Sequence, residues 1–469
     1  MDWSTARARF RFLASALNAE GGFAPRVAWT RTEQGVSTAT LIGTSELVRY
    51  PRESDAKFGA RNALAKYQNH LHSACKRFAG FMSRRRPVRD GVEKPLVKLM
   101  VENADLRGQS LDAFFMSFAL EAKARGSMLL VIDKPEGQPA TSLADQIERR
   151  RVPYIRMAAP ETVTQYRTDP DSGLFLSITL ACREWWEGEE IDVERDYTPT
   201  EWKIRKAGTD DVLKQGKHSL GACPVLAFTE SGGPFPQVGE FAQVADLSLA
   251  IFNKRSEKDE LLRSQTFSIL TLHVPPEQSE MFDQVKDKVA ATIGTNSMLI
   301  HSGDQPAFIA PDAGPAETYA KDIEALEAAI RRISMEEATE NSAQAESGVA
   351  RRLRFEALNS DLAGFAQQMQ QLEQRMWSLF DRALGTSHGV TTAWPTDFNL
   401  ADVTAELDIL LAMQTTGFPP AVLNAKRKAI VATEFDSSSD KDKADMNAAI
   451  DELEQQAQQP QNDPNDPNL

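Results

Sequence analysis

Residues 337–384 read EATENSAQAESGVARRLRFEALNSDLAGFAQQMQQLEQRMWSLFDRAL. From Phe355 the apolar residues Leu358, Leu362, Phe365, Met369, Leu372, Met376, Leu379 and Ala383 follow at steps of three and four. That spacing holds over about four heptads and predicts one helix over 349–384, roughly 54 Å long. A stripe of this kind is more readily a core face than a coiled-coil seam. The preceding stretch has no period: Glu, Asn, Ser and Gln run into Ser347-Gly348 and the pair Arg351-Arg352. Such a composition suits a surface linker, or a loop that faces something charged and moves past it.

Working outward, ETYAKDIEALEAAIRRISMEE forms a second helix, 315–336, after the turn Asp312-Ala313-Gly314-Pro315. Before that turn lies a compact segment, 268–314, with SILTLHVPP, SMLIHSG and AFIAP as strands and EMFDQVKDKVAATI as a short helix. A Gly- and Pro-free helix then spans about Gly239 to Thr266, within 237–267, and carries Lys254, Arg255, Lys258 and Arg263 in its second half. Helix, small αβ module and returning helix together form a stalk with a head.

The N-terminal half mixes helices with β segments, so the fold class is α+β. Residues 1–49 mix Gly, Thr and Arg weakly and read as an arm with little structure of its own. KFGARNALAKYQNHLHSACKRFAGFMS reads as one helix over 57–83, and LDAFFMSFALEAKARG as another, closed by Gly126. SMLLVID, 127–133, is a buried strand. From Val152 to Thr229, PYIRMAAPETVTQY, LFLSITLACREWW, EWKIRKA and CPVLAFT form an antiparallel meander punctuated by turns such as Asp169-Pro170-Asp171-Ser172-Gly173. Within it, Trp185 and Trp186 alternate faces, which places one in the core. Beyond the strand in TTAWPTDFNL come two or three helices over 401–456, broken at Gly417-Phe418-Pro419-Pro420, and a polar tail, 457–469, that reads as disordered.

Composition narrows the function. The chain has 469 residues, 41% hydrophobic and 26% charged, with a net charge of -14. That charge opposes broad nucleic-acid grip, which needs cations to displace counterions from phosphates. An acidic surface instead lets DNA slide without being held. No apolar run reaches the roughly 20 residues of a membrane span, and the basic N-terminus lacks the apolar core of a secretory signal. Three scattered cysteines, Cys75, Cys182 and Cys223, form no disulfide framework or zinc motif, as expected of a reducing compartment. Phosphate-binding glycine loops, HExxH, CxxC and GxSxG are all absent. His70 and His72 fall on different helix faces, and the pairs Glu189-Glu190 and Glu336-Glu337 read as ordinary surface carboxylates. Neither a catalytic residue, a metal nor a cofactor is expected. The Arg84–Arg86 run reads as a solvated helix end, and the Lys254 cluster divides evenly between function and salt bridges to Glu257, Asp259 and Glu260.

The order of these elements resembles the portal proteins, or head-to-tail connectors, of tailed bacteriophages over about residues 50–455. ENADLRGQSLDAFF, EAKARGSMLLVIDKP, PYIRMAAPETVTQYRTDPDSG, QVADLSLAIFNKRSEKDELL, ESGVARRLRFEALNSDLA and TDFNLADVTAELDILLAMQTTGFPP carry the resemblance jointly and in order. It implies a wing at 50–236, stem helices at 237–267 and 315–336, and a clip at 268–314. It further implies a tunnel loop at 337–348, a long helix and wing strand at 349–400, and a crown at 401–456.

Such a protein is a ring, usually a dodecamer, at one capsid vertex of the virion, assembled in the bacterial host cytoplasm. Double-stranded DNA passes through it non-specifically during packaging and ejection, driven by a terminase that holds the ATPase. Capsid and scaffold proteins and a head-tail adaptor are its other partners, and no membrane is involved. On this reading Asn341, Gln344, Glu346, Ser347, Gly348, Arg351 and Arg352 face the channel, together with Lys254, Arg255 and Lys258 of the stem. A ring-forming adaptor that touches only protein, or an α+β enzyme without a recognisable motif, are the alternatives.

Overall fold

The computed structural model describes residues 2–31, 37–135, 137–138, 140–266, 269–273, 298–301, 307–309, 314–336, 348–398, 403–434 and 440–458. The chain divides into two compact units, Met1–Phe398 and Asn399–Leu469. Helices and sheets are mixed throughout the first, as the α+β reading expects.

The N-terminal segment corrects the sequence reading. Rather than a loose arm, it forms helix α1 (Trp3–Asn18), capped by Asp2 accepting from the Thr5 amide, and the ribbon β1 (Arg26–Arg31) with β2 (Ser37–Ile42). Ala6, Phe10, Leu13 and Leu17 make a buried stripe at steps of four, three and four. The interleaved Arg7, Arg9 and Arg11 disguise that period in the sequence. Arg7 donates to the Glu161 carbonyl and Arg9 holds Asp246 at 2.6 Å, both far along the chain.

Helix α2 (Asp55–Leu64) and α3 (His70–Met82) replace the single helix expected over 57–83. Asn69 causes the break. Its side chain caps α3 at the His72 amide and also donates to the Leu17 carbonyl at 2.7 Å. Tyr67, in the gap, packs between the rings of Phe23 and Phe252. Beside it Arg61 makes a two-point ion pair with Glu53, at 2.9 and 2.8 Å, both side chains almost wholly buried.

After β3 (Val88–Asp90) and α4 (Pro95–Glu102), α5 (Leu111–Arg125) begins at a Ser110 cap and ends at Gly126, φ 81°. Gly126 also allows a close backbone approach, because a Cβ there would sit 1.9 Å from the Gly239 nitrogen. Strand β4 (Ser127–Asp133) is buried on both faces, so it needs a neighbour at each edge. Beyond the short helix α6 (Leu143–Glu148), β5 (Tyr154–Ala158) supplies one of them, and β11 (Val225–Thr229) supplies the other. Both ends of the predicted meander therefore leave it to form a separate sheet ordered β11-β4-β5.

The meander proper is β6 (Val163–Thr168), β7 (Phe175–Trp186), β8 (Glu189–Tyr197), β9 (Glu201–Lys206) and β10 (Val212–Lys217), antiparallel in chain order. One face buries Val163, Ile178, Leu180, Val193 and Ile204. The other is laced by cross-strand pairs such as Arg205–Asp196 at 2.6 Å. Neither Trp185 nor Trp186 enters the core: Trp185 is 74% exposed at the β7–β8 turn and Trp186 is half-buried.

Helix α7 (Ala242–Thr266) leads to β12 (Ile269–His273), β13 (Met298–His301) and β14 (Ala307–Ile309), a small sheet ordered β13-β12-β14. β12 and β13 are parallel, and residues 274–297 join them in the sequence. The helix predicted within EMFDQVKDKVAATI lies there, outside the described residues. Helix α8 (Gly314–Ile333) returns along α7. Helix α9 (Gly348–Leu384) matches the predicted long helix. Leu358, Leu362, Phe365, Met369, Leu372, Met376 and Leu379 are all buried, so the stripe is core. β15 (Thr391–Ala393) pairs with β3.

The second unit contains α10 (Val403–Thr415), α11 (Pro420–Glu434) and α12 (Asp440–Gln458), with the break at Gly417 where φ is 76°. Of the predicted disordered tail, 457–469, the first two residues belong to α12 and the rest lie outside the described residues. No helix among the described residues is long and apolar enough to cross a membrane.

Two consequences are measurable. Phe10→Ala should cost about 3–5 kcal/mol in denaturant unfolding, as for a core phenylalanine, whereas a residue on a loose arm would change little. Burial opposes ionisation of Glu53, yet the Arg61 hydrogen bonds outweigh it and hold the carboxyl below its ordinary value. Since the folded carboxyl is the stronger acid, this pair stabilises fully above about pH 5.5 and progressively less as pH falls through about 4.3. Glu53→Gln should flatten that part of the stability profile, measured by urea unfolding between pH 3 and 7.

Candidate functional site

The elements expected to carry function meet around α3. Helix α8 ends in a turn at Met335, φ 52°, and Glu336 follows immediately before residues 337–347. Arg77 of α3 holds the Glu336 carboxylate at 2.6 Å. One turn along α3, the Phe81 ring meets Phe355 of α9, with centroids 6.5 Å apart, while Phe78 packs on Phe365 at 5.1 Å. A single helix thus grips the chain on both sides of the segment 337–347. Neither contact has a local sequence signal, because Arg77 and Glu336 lie 259 residues apart.

Of the predicted site residues, Asn341, Gln344, Glu346 and Ser347 fall outside the described residues. Gly348 is the first residue of α9, and Arg351 and Arg352 lie in its opening turns. No acidic residue occupies the first turn of that helix. The free backbone amides of a helix N-terminus carry a partial positive charge. This end of α9 is therefore the positive pole of the helix dipole, with Arg351 and Arg352 in the adjoining sequence.

The stem cations occupy a different position. Lys254 pairs with Asp322 at 2.5 Å and Arg255 with Glu327 at 2.6 Å, both acids belonging to α8. Hydrogen bonding to Asp322 raises the Lys254 pKa, which keeps its charge committed to the seam. The acids expected as partners, Glu257, Asp259 and Glu260, lie on the same helix; the observed partners come from across the interface. Lys258 is half-buried one turn further on.

Other residues singled out in the sequence sit apart from this region. Arg84 is exposed, its guanidinium over the Phe81 ring at 4.2 Å. His70 is half-buried and His72 exposed, while Glu189 and Glu190 are both exposed. All three cysteines are free thiols, and burial pushes the Cys223 thiol up to about 12. Among the described residues no group of three or more His, Cys, Asp and Glu side chains is placed to hold a metal ion.

Comparison with protein-family models gives no match, and neither does comparison with curated proteins. Among solved structures the chain is similar to one from the virion of a native gene transfer agent (GTA) particle, at 12% identity and TM-score 0.39, covering 87% of this chain and 96% of that one. It is also similar to a chain of the neck of a native GTA particle computed with C12 symmetry, at 12% identity and TM-score 0.40, covering 77% and 89%. A third, from the neck of an empty GTA particle computed with C6 symmetry, has 13% identity and TM-score 0.37, covering 75% and 86%. Similarity at this level leaves function to be argued from the residues of this chain.

The two-sided grip of α3 makes a test of the anchor possible. Arg77→Ala should leave global stability within about 1 kcal/mol, since the ion pair with Glu336 is only partly buried. It should nevertheless speed limited proteolysis within 337–347 severalfold, read by mass spectrometry of the first fragments.

Proposed function

We propose that this chain is the subunit of a portal ring, through which a terminase packages double-stranded DNA at one capsid vertex and through which the DNA later leaves. The observation that carries the reading is the succession of α7, the small β12–β14 sheet, the returning α8, an anchored polar segment and then the 37-residue helix α9. Helices α7 and α8 supply a stem, the small sheet a clip, residues 337–347 a tunnel loop, and the second unit a crown. The β-rich part of the first unit is the wing.

On this reading the subunit does no chemistry, and its partners are other copies, DNA, the terminase, capsid and scaffold proteins and a head-tail adaptor. A dodecameric ring in a virion is the state assigned. An acidic chain suits a channel wall because like charge removes deep binding minima along the DNA path. The electropositive start of α9 then supplies the few sites at which a phosphate backbone is felt. Arg351 and Arg352 are assigned that role, with Asn341, Gln344, Glu346, Ser347 and Gly348 as the neutral or weakly acidic remainder of the loop. Because Lys254 and Arg255 are neutralised by α8, they hold the stem helices together, and a contribution of theirs to the channel is secondary.

Negative-stain microscopy of the purified chain, incubated with its scaffold where needed, should show rings with a central hole. Arg351→Ala with Arg352→Ala should reduce packaged DNA per particle severalfold, with ring yield unchanged. Unchanged packaging would remove the arginine assignment; a monodisperse monomer with catalytic turnover would remove the portal.

A further inference from the structure

Two features at opposite ends of the five-stranded sheet remain unexplained by that reading. At one end the β7–β8 hairpin closes in the two-residue turn Glu187-Gly188, both residues at positive φ. Trp185 stands there largely in water, paired across the strands with Glu190, while Trp186 is paired with Glu189. Glu187, Glu189 and Glu190 are all exposed. A tryptophan presented to solvent among carboxylates has the character of an interface anchor, since tryptophan is prominent among residues that dominate binding energy.

At the other end a half-open cavity of about 540 Å³ is walled by Tyr197, Trp202, Leu220 and His218, with Lys134 and Lys217 exposed at its mouth. Its size lies within the roughly 300–1,000 Å³ of sites that enclose a compact ligand. The acid in its wall, Asp133, is engaged by Arg156 at 3.3 Å and Arg195 at 3.7 Å, which leaves the mouth net positive. His218 is oriented by its Nε2–H, which donates to the Thr198 carbonyl at 3.0 Å. That tautomer leaves Nδ1 as an acceptor, and Nδ1 is buried with no hydrogen-bond partner in the structure. Burial lowers the pKa of this ring and so holds it neutral.

We propose that the Trp185 hairpin tip of one copy seats in this cavity of a second copy. The indole ring lies against Trp202 and His218 of the cavity wall. Glu187, Glu189 and Glu190 face Lys134 and Lys217 across the rim. The chain cannot satisfy its own cavity, because Glu190 and Tyr197 lie seven residues apart on one extended strand, about 24 Å at ~3.4 Å per residue. Two different patches are joined, so the contact is heterologous and propagates from copy to copy. The inference rests on the reading of the chain as a ring subunit and specifies one contact between neighbours.

The test places a photoreactive benzoylphenylalanine at position 185 of the full chain, irradiates at assembling concentrations, and maps intermolecular adducts by mass spectrometry. Adducts are expected at 132–134, 197–202 and 217–220. Lys134→Glu with Lys217→Glu should lower that cross-link roughly tenfold, and adding Glu187→Lys with Glu190→Lys should restore it, as reciprocal charge reversal does at a steered interface. All four sites are exposed, and circular dichroism confirms folding of each variant. Adducts confined to other surfaces, no intermolecular adduct, or a cross-link indifferent to charge reversal would overturn the proposal. Rings without this cross-link would remove the contact and leave the portal, whereas the mapped cross-link in open filaments that never close would remove the portal and leave the contact.

Discussion

The Lys123 ammonium is the constraint on which the first unit depends. Its side chain is fully buried on α5, a position tolerable only if the charge is compensated. Glu230 lies at 2.5 Å and Asp361 of α9 at 3.0 Å, while the rings of Phe78 on α3 and Phe241, just before α7, face the cation at 4.4 and 4.5 Å. Burial works against this cation, yet Glu230 and Asp361 outweigh it and hold its pKa above the ordinary lysine value. The carboxylate of Glu230 is placed by backbone: its amide donates to the Gly126 carbonyl at 2.9 Å, and the Gly239 amide donates to Arg125 at 3.0 Å. Removing one partner of such a buried set typically costs 3–5 kcal/mol, so these segments are held in one arrangement or the set is lost.

A second buried charge fixes the far half of α9. Glu373 is wholly buried and is met by Arg89 at 2.6 Å, by the indole N–H groups of Trp377 at 3.1 Å and Trp394 at 2.8 Å, and by Thr392 at 3.3 Å. Arg89 also reaches Asp112 of α5. Asp361 and Glu373 lie twelve residues apart, about 18 Å along the axis. Between them the helix is pinned by charge on one side and by its apolar stripe on the other. Before Asp361, Phe355 meets Phe81, Leu358 is buried, and the Asn359 side chain accepts from the Phe398 amide at 2.6 Å.

Much of this architecture was legible because its signal is local. The stripe from Phe355 to Leu379, the Gly126 stop and the unbroken apolar run of β4 each follow from a period or a cap that a short window contains. What was illegible is long-range. Helix α1 carries an ordinary apolar spacing, but Arg7, Arg9 and Arg11 conceal it until Glu161 and Asp246 appear as their partners. The α2–α3 break depends on Asn69 reaching the Leu17 carbonyl, and the departure of β5 and β11 from the meander depends on β4 needing two neighbours. At the candidate site, α9 and Gly348 were readable, whereas the grip of α3 through Arg77 was not. Lys254 and Arg255 were recognised as a cluster, but their acids come from another helix, which spacing along one helix cannot show.

That last displacement changes how charge is distributed over the subunit. Arg61, Arg89, Lys123 and Arg125 are buried in ion pairs, and Lys254 and Arg255 are spent on the α7–α8 seam. These cations stabilise the subunit and contribute little field to an external polyanion. Arg351 and Arg352 fall in the opening turns of α9, where a cation opposes the macrodipole at a cost of about 0.3–1 kcal/mol. Helix stability alone would favour acids at those positions. An anion brought against a helix N-terminus is met by the same free amides. The opening of α9 thus carries in its sequence two cations at positions where the helix dipole alone favours acids.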